Sequence, residues 1–387
     1  MTQTLTHNHD QITKSQPLDV ELRYVFKFFN QEPAVNGVDL DIKQGEFLTI
    51  IGASGCGKTT ILRLIAGLEM TDAGKVFIQG HQMTNVPADR RPVNTVFQSY
   101  ALFHHMNVWD NVAFGLRVHK KLPKSEIATR VQEALMLVKI ADLRSHFPRQ
   151  LSTAQQQRVA LARAIVNRPS VLLLDEPLRA LDLKLRQEMQ LELWNLHKHL
   201  GLTMIMVTQD RQQAMSLSDR IAVMNQGKIE QVGTPQEIYE HPQTPFVADF
   251  IGDNNLFTGK IIYVDSSSIE VETTTGLKIT VDRTEKTPSE LSQTVVVSVR
   301  PEKIQLSLYR PSIFTNCFPG RLNQVMYLGT HLGYIVDLQN GISINIFQPN
   351  TFGSLPERDI PIYAWWMKSD CIAFRNCTDV RGGWKKS

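Results

Sequence analysis

The stretch Gly-Ala-Ser-Gly-Cys-Gly-Lys-Thr-Thr, residues 52–60, constrains this chain more than any other. It follows the apolar run Phe47-Leu48-Thr49-Ile50-Ile51 and precedes Ile61-Leu62-Arg63-Leu64-Ile65-Ala66, which reads as a helix. Strand, glycine-rich loop and helix in that order give a phosphate-binding loop when the spacing is G-x-x-x-x-G-K-[ST]. Gly52, Gly57, Lys58 and Thr59 meet that spacing. Glycines let the backbone curl so that its N–H groups converge on a polyanion, and the helix adds the positive end of its dipole. Lys58 can reach the β- and γ-phosphates of a nucleotide, and the Thr59 hydroxyl can ligate Mg²⁺. An ordinary glycine turn between strand and helix would need neither side chain.

At 387 residues the chain exceeds what one hydrophobic core ordinarily serves, so two domains are expected. A net charge of +3 and the lack of any dense Lys/Arg block give no nucleic-acid footprint. Cys56, Cys317, Cys371 and Cys377 form no C-x-x-C pair, which argues against a disulfide scaffold or zinc and fits a reducing cytosol. Cys56, inside the loop, reads as a small packing residue. No apolar run approaches the ~18 residues of a membrane span. Residues 1–17 are polar, lack the apolar core of a signal peptide, and read as a disordered tail.

Two strands, Val20 to Val25 and Val38 to Ile42, precede the phosphate loop and suit an antiparallel platform for a nucleotide base. Between them lie Phe28 and Phe29, which read equally as an adenine-stacking surface or as core aromatics. Arg90-Arg91-Pro92-Val93-Asn94-Thr95-Val96-Phe97-Gln98 reads as an apolar strand ending on a polar Gln. Ile127, Val131, Leu135 and Val138 recur at helical spacing after Pro123 and mark a small helical subdomain. A further helix starts at Leu151-Ser152-Thr153-Ala154-Gln155, where Ser152 and Gln155 also have the spacing of a capping box, and Pro169 stops it. Val171-Leu172-Leu173-Leu174 has the continuous apolarity of a buried parallel strand and ends in Asp175-Glu176. Thr203 to Val207 is a second such strand, leading to Thr208-Gln209-Asp210. In an open parallel sheet the carboxyl edge is where ligands bind. Beside a phosphate loop, Asp175 can hold Mg²⁺ and Glu176 can act as general base on an attacking water. From Phe257 onward strands alternate at period two, and Asn340-Gly341 signals a hairpin, so an all-β barrel or sandwich is expected, with no catalytic constellation.

Together these residues resemble the ATP-binding subunit of an ABC-type importer, with the nearest likeness to the spermidine/putrescine importers. Residues 52–59 match the Walker A motif, and Leu172-Leu173-Leu174-Asp175-Glu176-Pro177 matches Walker B with its catalytic Glu. Gln98 matches the Q-loop, Ala180-Leu181-Asp182 the D-loop, and Phe29 the position of the adenine-stacking aromatic. LSTAQQQRVALARA lies where the family has its LSGGQ signature, and Gln209 lies at its switch histidine. Residues from VRPEKIQLS to the Trp365-Trp366 and Asp370-Cys371 stretch resemble the family's regulatory β-domain of oligonucleotide-fold type.

The resemblance implies an α/β P-loop NTPase domain over residues 18–253, with a helical subdomain at about 100–168, followed by an all-β OB-like regulatory domain over 254–387. ATP and Mg²⁺ are the implied cofactors. The nucleotide would be held by Phe29, Gly52, Ala53, Ser54, Gly55, Cys56, Gly57, Lys58, Thr59, Thr60, Ser152, Gln155 and Asp182. Thr59, Gln98 and Asp175 are implied for the metal, and Glu176, Gln98 and Gln209 for catalysis. The implied partners are a second copy of the chain in an ATP sandwich, two integral membrane permease subunits docked near residues 101–106, and indirectly a periplasmic or extracellular solute-binding protein. The implied place is the cytoplasmic face of the plasma membrane.

Four departures from the family pattern, involving five residues, fall at the chemistry. Thr153-Ala154 stand for the two signature glycines, Gln209 for the switch histidine, Arg179 for the D-loop serine and His104 for a Q-loop proline. Added Cβ atoms crowd a helix N-terminus meant to approach phosphate, and a Gln amide donates a hydrogen bond without imidazolium charge. The expectation is retained ATP binding with weakened hydrolysis. The departures also support an alternative, a nucleotide-binding regulatory subunit with little turnover. A motor for another solute (sugar, sulfate or ferric iron) has the same ATPase motifs.

Overall fold

The computed structural model describes residues 16–119, 122–312, 316–350 and 359–375. Most of the tail expected over residues 1–17 and Cys377 lie outside them. The chain divides into two units, one ending at Gln236 and the other beginning at Glu237.

The first unit opens with β1 (Leu18–Phe29) and β2 (Glu32–Lys43), an antiparallel pair turned at Asn30-Gln31, both with positive φ. The sequence shows only the inner halves of these strands. Pairing continues to Phe29↔Glu32, so Phe28 and Phe29 are strand residues at the hairpin's end. Next come β3 (Phe47–Gly52), α1 (Lys58–Ala66), β4 (Ala73–Ile78), the two-residue β5 (His81–Gln82) and β6 (Val93–Val96). The helices α2 (Val108–His119), α3 (Lys124–Leu137) and α4 (Thr153–Ile165) follow. The unit is completed by β7 (Val171–Asp175), α5 (Leu183–Leu200), β8 (Thr203–Thr208), α6 (Arg211–Leu217), β9 (Arg220–Asn225) and β10 (Lys228–Gly233).

Two sheets result. One is antiparallel, in the order β2-β1-β4-β5. The other runs β10-β9-β3-β8-β7-β6, with every pair parallel except β10–β9. All residues of β3 and β8 are buried, as are the first four of β7. That burial is why these strands read as unbroken apolar runs. One core lies between this sheet and α1, taking in Leu48, Ile50, Leu173 and Ile205; the other includes Val112, Val131, Leu135, Val159 and Leu174 and joins the sheet to α2, α3 and α4. The sheet's parallel order brings the carboxyl ends of β3, β6, β7 and β8 to one edge.

The second unit begins within α7 (Pro235–Glu240), which spans the division, and continues into α8 (Pro245–Ile251). Among the described residues its strands are β11 (Asn255–Val264), β12 (Ser268–Thr273), β13 (Lys278–Asp282), β14 (Thr294–Val299), β15 (Gln305–Ser307), β16 (Asn316–Tyr327), β17 (His331–Leu338), β18 (Ser343–Pro349), β19 (Pro361–Trp366) and β20 (Cys371–Arg375). They form two antiparallel five-stranded sheets, β13-β12-β11-β14-β20 and β15-β19-β16-β17-β18, around one core that includes Ile279, Val297, Val336, Ile346 and Trp366. Burial alternates along β11, as period-two sequence requires. The hairpin signalled by Asn340-Gly341 joins β17 to β18, with Gly341 at φ 75° and the Leu338 N–H donating to Ile342 O across the loop.

Ile205 lies on β8 between β3 and β7 and has no exposed surface. Ile205→Ala is expected to destabilise the first unit by about 2–5 kcal/mol, read as a fall in its denaturant-unfolding midpoint with the second unit's transition unmoved.

Candidate functional site

The site starts where β3 ends. Gly52 has no room for a side chain: a Cβ there would overlap the Met224 carbonyl oxygen and the Cys56 sulfur. Gly57, at φ 106°, begins α1, and a Cβ there would overlap the Ala34 carbonyl oxygen on β2. Both glycines are therefore fixed by close approach, and Gly57 also by its left-handed backbone. Because the N-cap is glycine, α1 has no side-chain cap. By contrast α4, α5 and α6 are capped by Ser152, Asp182 and Asp210. The first N–H groups of α1 are thus left for an anion. Lys58 is buried, and its ammonium donates to Gly52 O at 2.9 Å and Ala53 O at 2.8 Å. Cys56 is buried beside it, and burial pushes its thiol up in pKa, in keeping with a packing role.

Next to this loop lies the end of β7. The Thr59 hydroxyl donates to Asp175 Oδ1 at 3.2 Å, which ties the loop to the carboxylate. Glu176 follows at φ 47°, a left-handed backbone for a side-chain-bearing residue, and its N–H donates to Val207 O at 3.0 Å. Such backbone costs on the order of 1–3 kcal/mol and persists where surrounding structure enforces it. The Glu176 carboxylate accepts from the Thr208 hydroxyl at 3.4 Å. Burial raises the pKa of Asp175, opposed by the Thr59 hydrogen bond and by Arg63 and Lys58. Burial also raises Glu176, opposed by Lys58, Arg179 and the Gln209 N–H and reinforced by Asp175. A desolvated carboxylate of raised basicity has the character of a general base.

Gln98 is exposed in the turn after β6, and the Gln209 side chain is exposed after β8. Phe28 stacks on Phe26 at 6.2 Å, whereas Phe29 is about 44% exposed with the Lys27 ammonium 5.4 Å from its ring. Neither is a core aromatic. Their hairpin touches the loop, since Ala34 packs on Gly57 and the Gly227 N–H donates to Cys56 O at 3.0 Å while its carbonyl accepts from Asn36.

Ser152 and Gln155 bond to each other: the Gln155 N–H donates to Ser152 Oγ at 3.3 Å, and the Ser152 N–H donates to Gln155 Oε1 at 2.9 Å. The capping box read from the sequence is present, and α4 begins at Thr153 rather than Leu151 because Ser152 is its cap. Asp182 accepts from the Leu185 N–H at 3.0 Å. None of these bonds joins the cluster around Lys58. Thr153 and Arg179 are exposed, and Ala154 packs on the core.

Thr208 is a site residue that sequence reasoning passed over. Its hydroxyl is within reach of the Glu176 carboxylate, accepts from the Asp210 N–H at 3.0 Å, and lies 3.3 Å from Gln213 Oε1. Arg186 pairs with Asp210 at 3.2 Å, so the turn holding Gln209 is braced from α5. The signal was available: Thr208 ends an apolar strand at the same sheet edge as Asp175.

The raised pKa values set a stability prediction. The folded chain favours the protonated forms of Asp175 and Glu176, so their contribution is fully favourable below the unfolded pKa and is lost as pH rises through the folded value. Glu176→Gln is expected to raise the Tm of the first unit at neutral pH, with the gain closing as pH falls to about 4. Calorimetric scans across that range check it.

A family model described as "ABC transporter" matches residues 35–179, and one described as "TOBE domain" matches residues 297–374. The spermidine/putrescine import ATP-binding protein PotA of Trichormus variabilis is 70% identical over 98% of this chain and 99% of its own. That of Trichodesmium erythraeum is 56% identical over 96% and 98%. Among solved structures, cbiO1 from Clostridium perfringens, part of the ABC transporter complex cbiONQ, is similar at 30% identity and TM-score 0.53, covering 58% of this chain and 91% of its own. The dimeric ABC transporter cassette MJ0796 is similar at 31% identity and TM-score 0.51, covering 56% and 98%.

Proposed function

Because the chain belongs to the family of ATP-binding subunits of spermidine/putrescine ABC importers, we propose how its own residues carry the ATP cycle that drives polyamine import. The carrying observation is the Thr59–Asp175 hydrogen bond of 3.2 Å beside the uncapped start of α1.

ATP enters with its adenine on Phe29 and its phosphates over the loop from Gly52 to Thr60. Anionic oxygen draws the Lys58 ammonium from the Gly52 and Ala53 carbonyls, and the open N–H groups of α1 bind the same charge. Thr59, Asp175 and Gln98 supply hard oxygen donors of the kind Mg²⁺ takes, and Mg²⁺ bound there would neutralise charge on the β- and γ-phosphates. Glu176 orients a water toward the γ-phosphorus. As the new P–O bond forms and the bond to ADP breaks, the water's proton passes to the Glu176 carboxylate. The Gln209 amide donates to a γ-phosphate oxygen.

A second copy supplies Ser152 and Gln155 from its α4 to complete each site, with Asp182 and Arg179 at the interface. Closure of the pair moves two membrane permease subunits that receive polyamine from an external binding protein. The chain then works at the cytoplasmic face of the membrane, and the second unit serves as regulator. No helix among the described residues is long and apolar enough to cross a membrane, which is consistent with a subunit that works on separate permease chains.

Thr153, Ala154 and Gln209 weaken the closure-coupled step while leaving nucleotide binding intact. Restoring Gln209→His with Thr153→Gly and Ala154→Gly is expected to raise steady-state Mg-ATP turnover by up to the order of 10²–10³, with Glu176→Gln as the blank and unchanged nucleotide affinity. An unmoved rate would show that these positions do not limit hydrolysis. A parent that binds ATP tightly yet turns over no faster than Glu176→Gln would favour the regulatory-subunit reading that the same departures support.

A further inference from the structure

Two consecutive residues after Gln98, Tyr100 and Ala101, have left-handed backbones, at φ 61° and 46°. Neither is glycine, so something outside the turn must hold them. The Tyr100 ring is buried, and its N–H donates to Phe97 O at 2.9 Å, closing a turn around Gln98. The left-handed pair brings the Tyr100 and Ala101 carbonyls side by side. Into them reaches Arg163 of α4, with Nη2 donating to Tyr100 O and Nη1 to Ala101 O, both at 2.7 Å. The guanidinium also lies 5.4 Å from the centre of the Phe103 ring. Among the described residues Arg163 pairs with no carboxylate; its charge is spent on these two carbonyls and the ring. A planar fork suits two adjacent acceptors in a way that a lysine ammonium does not.

This bond joins parts of the molecule that have different tasks. The start of α4 carries Ser152, and the turn from Phe97 carries Gln98. We propose that Arg163 is a positioning residue that couples α4 to the Gln98 turn, so that the placement of Gln98 for hydrolysis follows the position of the signature helix. This rests on the proposed role of Gln98 as an oxygen donor to Mg²⁺ in the hydrolytic site. A rigid helix moves as a body, so a displacement at Ser152 appears at Arg163 and is delivered two residues from Gln98. The phosphate loop takes no part in the linkage, so nucleotide affinity is not expected to depend on it.

The test is a double-mutant cycle on the full-length protein, with Arg163→Met, Gln98→Ala and the double variant, read by Mg-ATP turnover and by nucleotide affinity. Arg163→Met is expected to lower kcat roughly 10- to 100-fold, as small misplacements of catalytic groups do, with nucleotide Kd within about twofold. Arg163→Lys is expected to fall between parent and Met. On the Gln98→Ala background, Arg163→Met is expected to cost little more, because both changes remove one linkage. Losses that multiply in full, or a loss of affinity with kcat kept, would overturn the proposal while leaving the Gln98 role standing. A Gln98→Ala rate equal to the parent's would remove the Gln98 role and the proposal together. If Arg163→Met does not fold, the same cycle with Arg163→Lys decides between these outcomes.

Discussion

The whole site depends on one helix having unlike ends. At the far end of α1 the carbonyls are satisfied: Gly67 turns left-handed, and the buried Arg91 guanidinium donates to Leu64 O at 2.6 Å and Ile65 O at 2.9 Å. A cation at a helix C-terminus complements the dipole, and here it also fills the carbonyls' hydrogen bonds. At the near end nothing comparable exists, because the N-cap is a glycine that the Ala34 carbonyl forces to stay one. The helix is thus stabilised from one end and open at the other. Lys58 has a matching reserve: bound to two loop carbonyls, it is satisfied before a nucleotide arrives and can exchange them for phosphate.

The carboxylates form the opposite arrangement. Asp175 and Glu176 sit where burial penalises their charge, and Glu176 adds a backbone conformation that side chains rarely adopt. Both penalties fall at the end of β7, whose first four residues are buried between β6 and β8. A strand so placed holds its terminal residues in position against local strain. Lys58 offsets part of the penalty at both carboxylates, joined by Arg63 at Asp175 and by Arg179 at Glu176.

How much of this could be read in advance follows the range of each interaction. The strand β7 was legible because a run of four buried residues is a local pattern, and the phosphate loop because its spacing is a local rule. The outer part of the β1–β2 hairpin was not: Asn30-Gln31 lacks a glycine, and the register shifts near Val25 and Lys27 break the alternation. The second unit's start shows the same limit. Its strand texture begins near Phe257, yet the buried Arg300 gathers the carbonyls of Tyr239, Ala248, Gly252 and Asp253, and so gives that segment its own bonds within the second unit. No pattern around Arg300 announces four carbonyl partners roughly fifty to sixty residues upstream. Arg163, bonded to carbonyls about sixty residues back, was invisible for the same reason.

The signature region shows why replacing a motif need not dismantle the structure under it. Glycines at positions 153 and 154 would add nothing to the capping box, which runs between Ser152 and Gln155 and stays intact with Thr153 and Ala154 in place. Thr153 is exposed and Ala154 packs on the core, so both are good occupants of a first helical turn in the isolated subunit. In the proposed cycle their penalty arises only when the nucleotide held by the facing copy must approach that turn. Stability of the subunit and geometry of the closed pair are therefore separable at these positions. Thr153 answers to no packing within the fold, Ala154 only to the core beside it, and the further constraint proposed for both comes from the closed, nucleotide-bound pair.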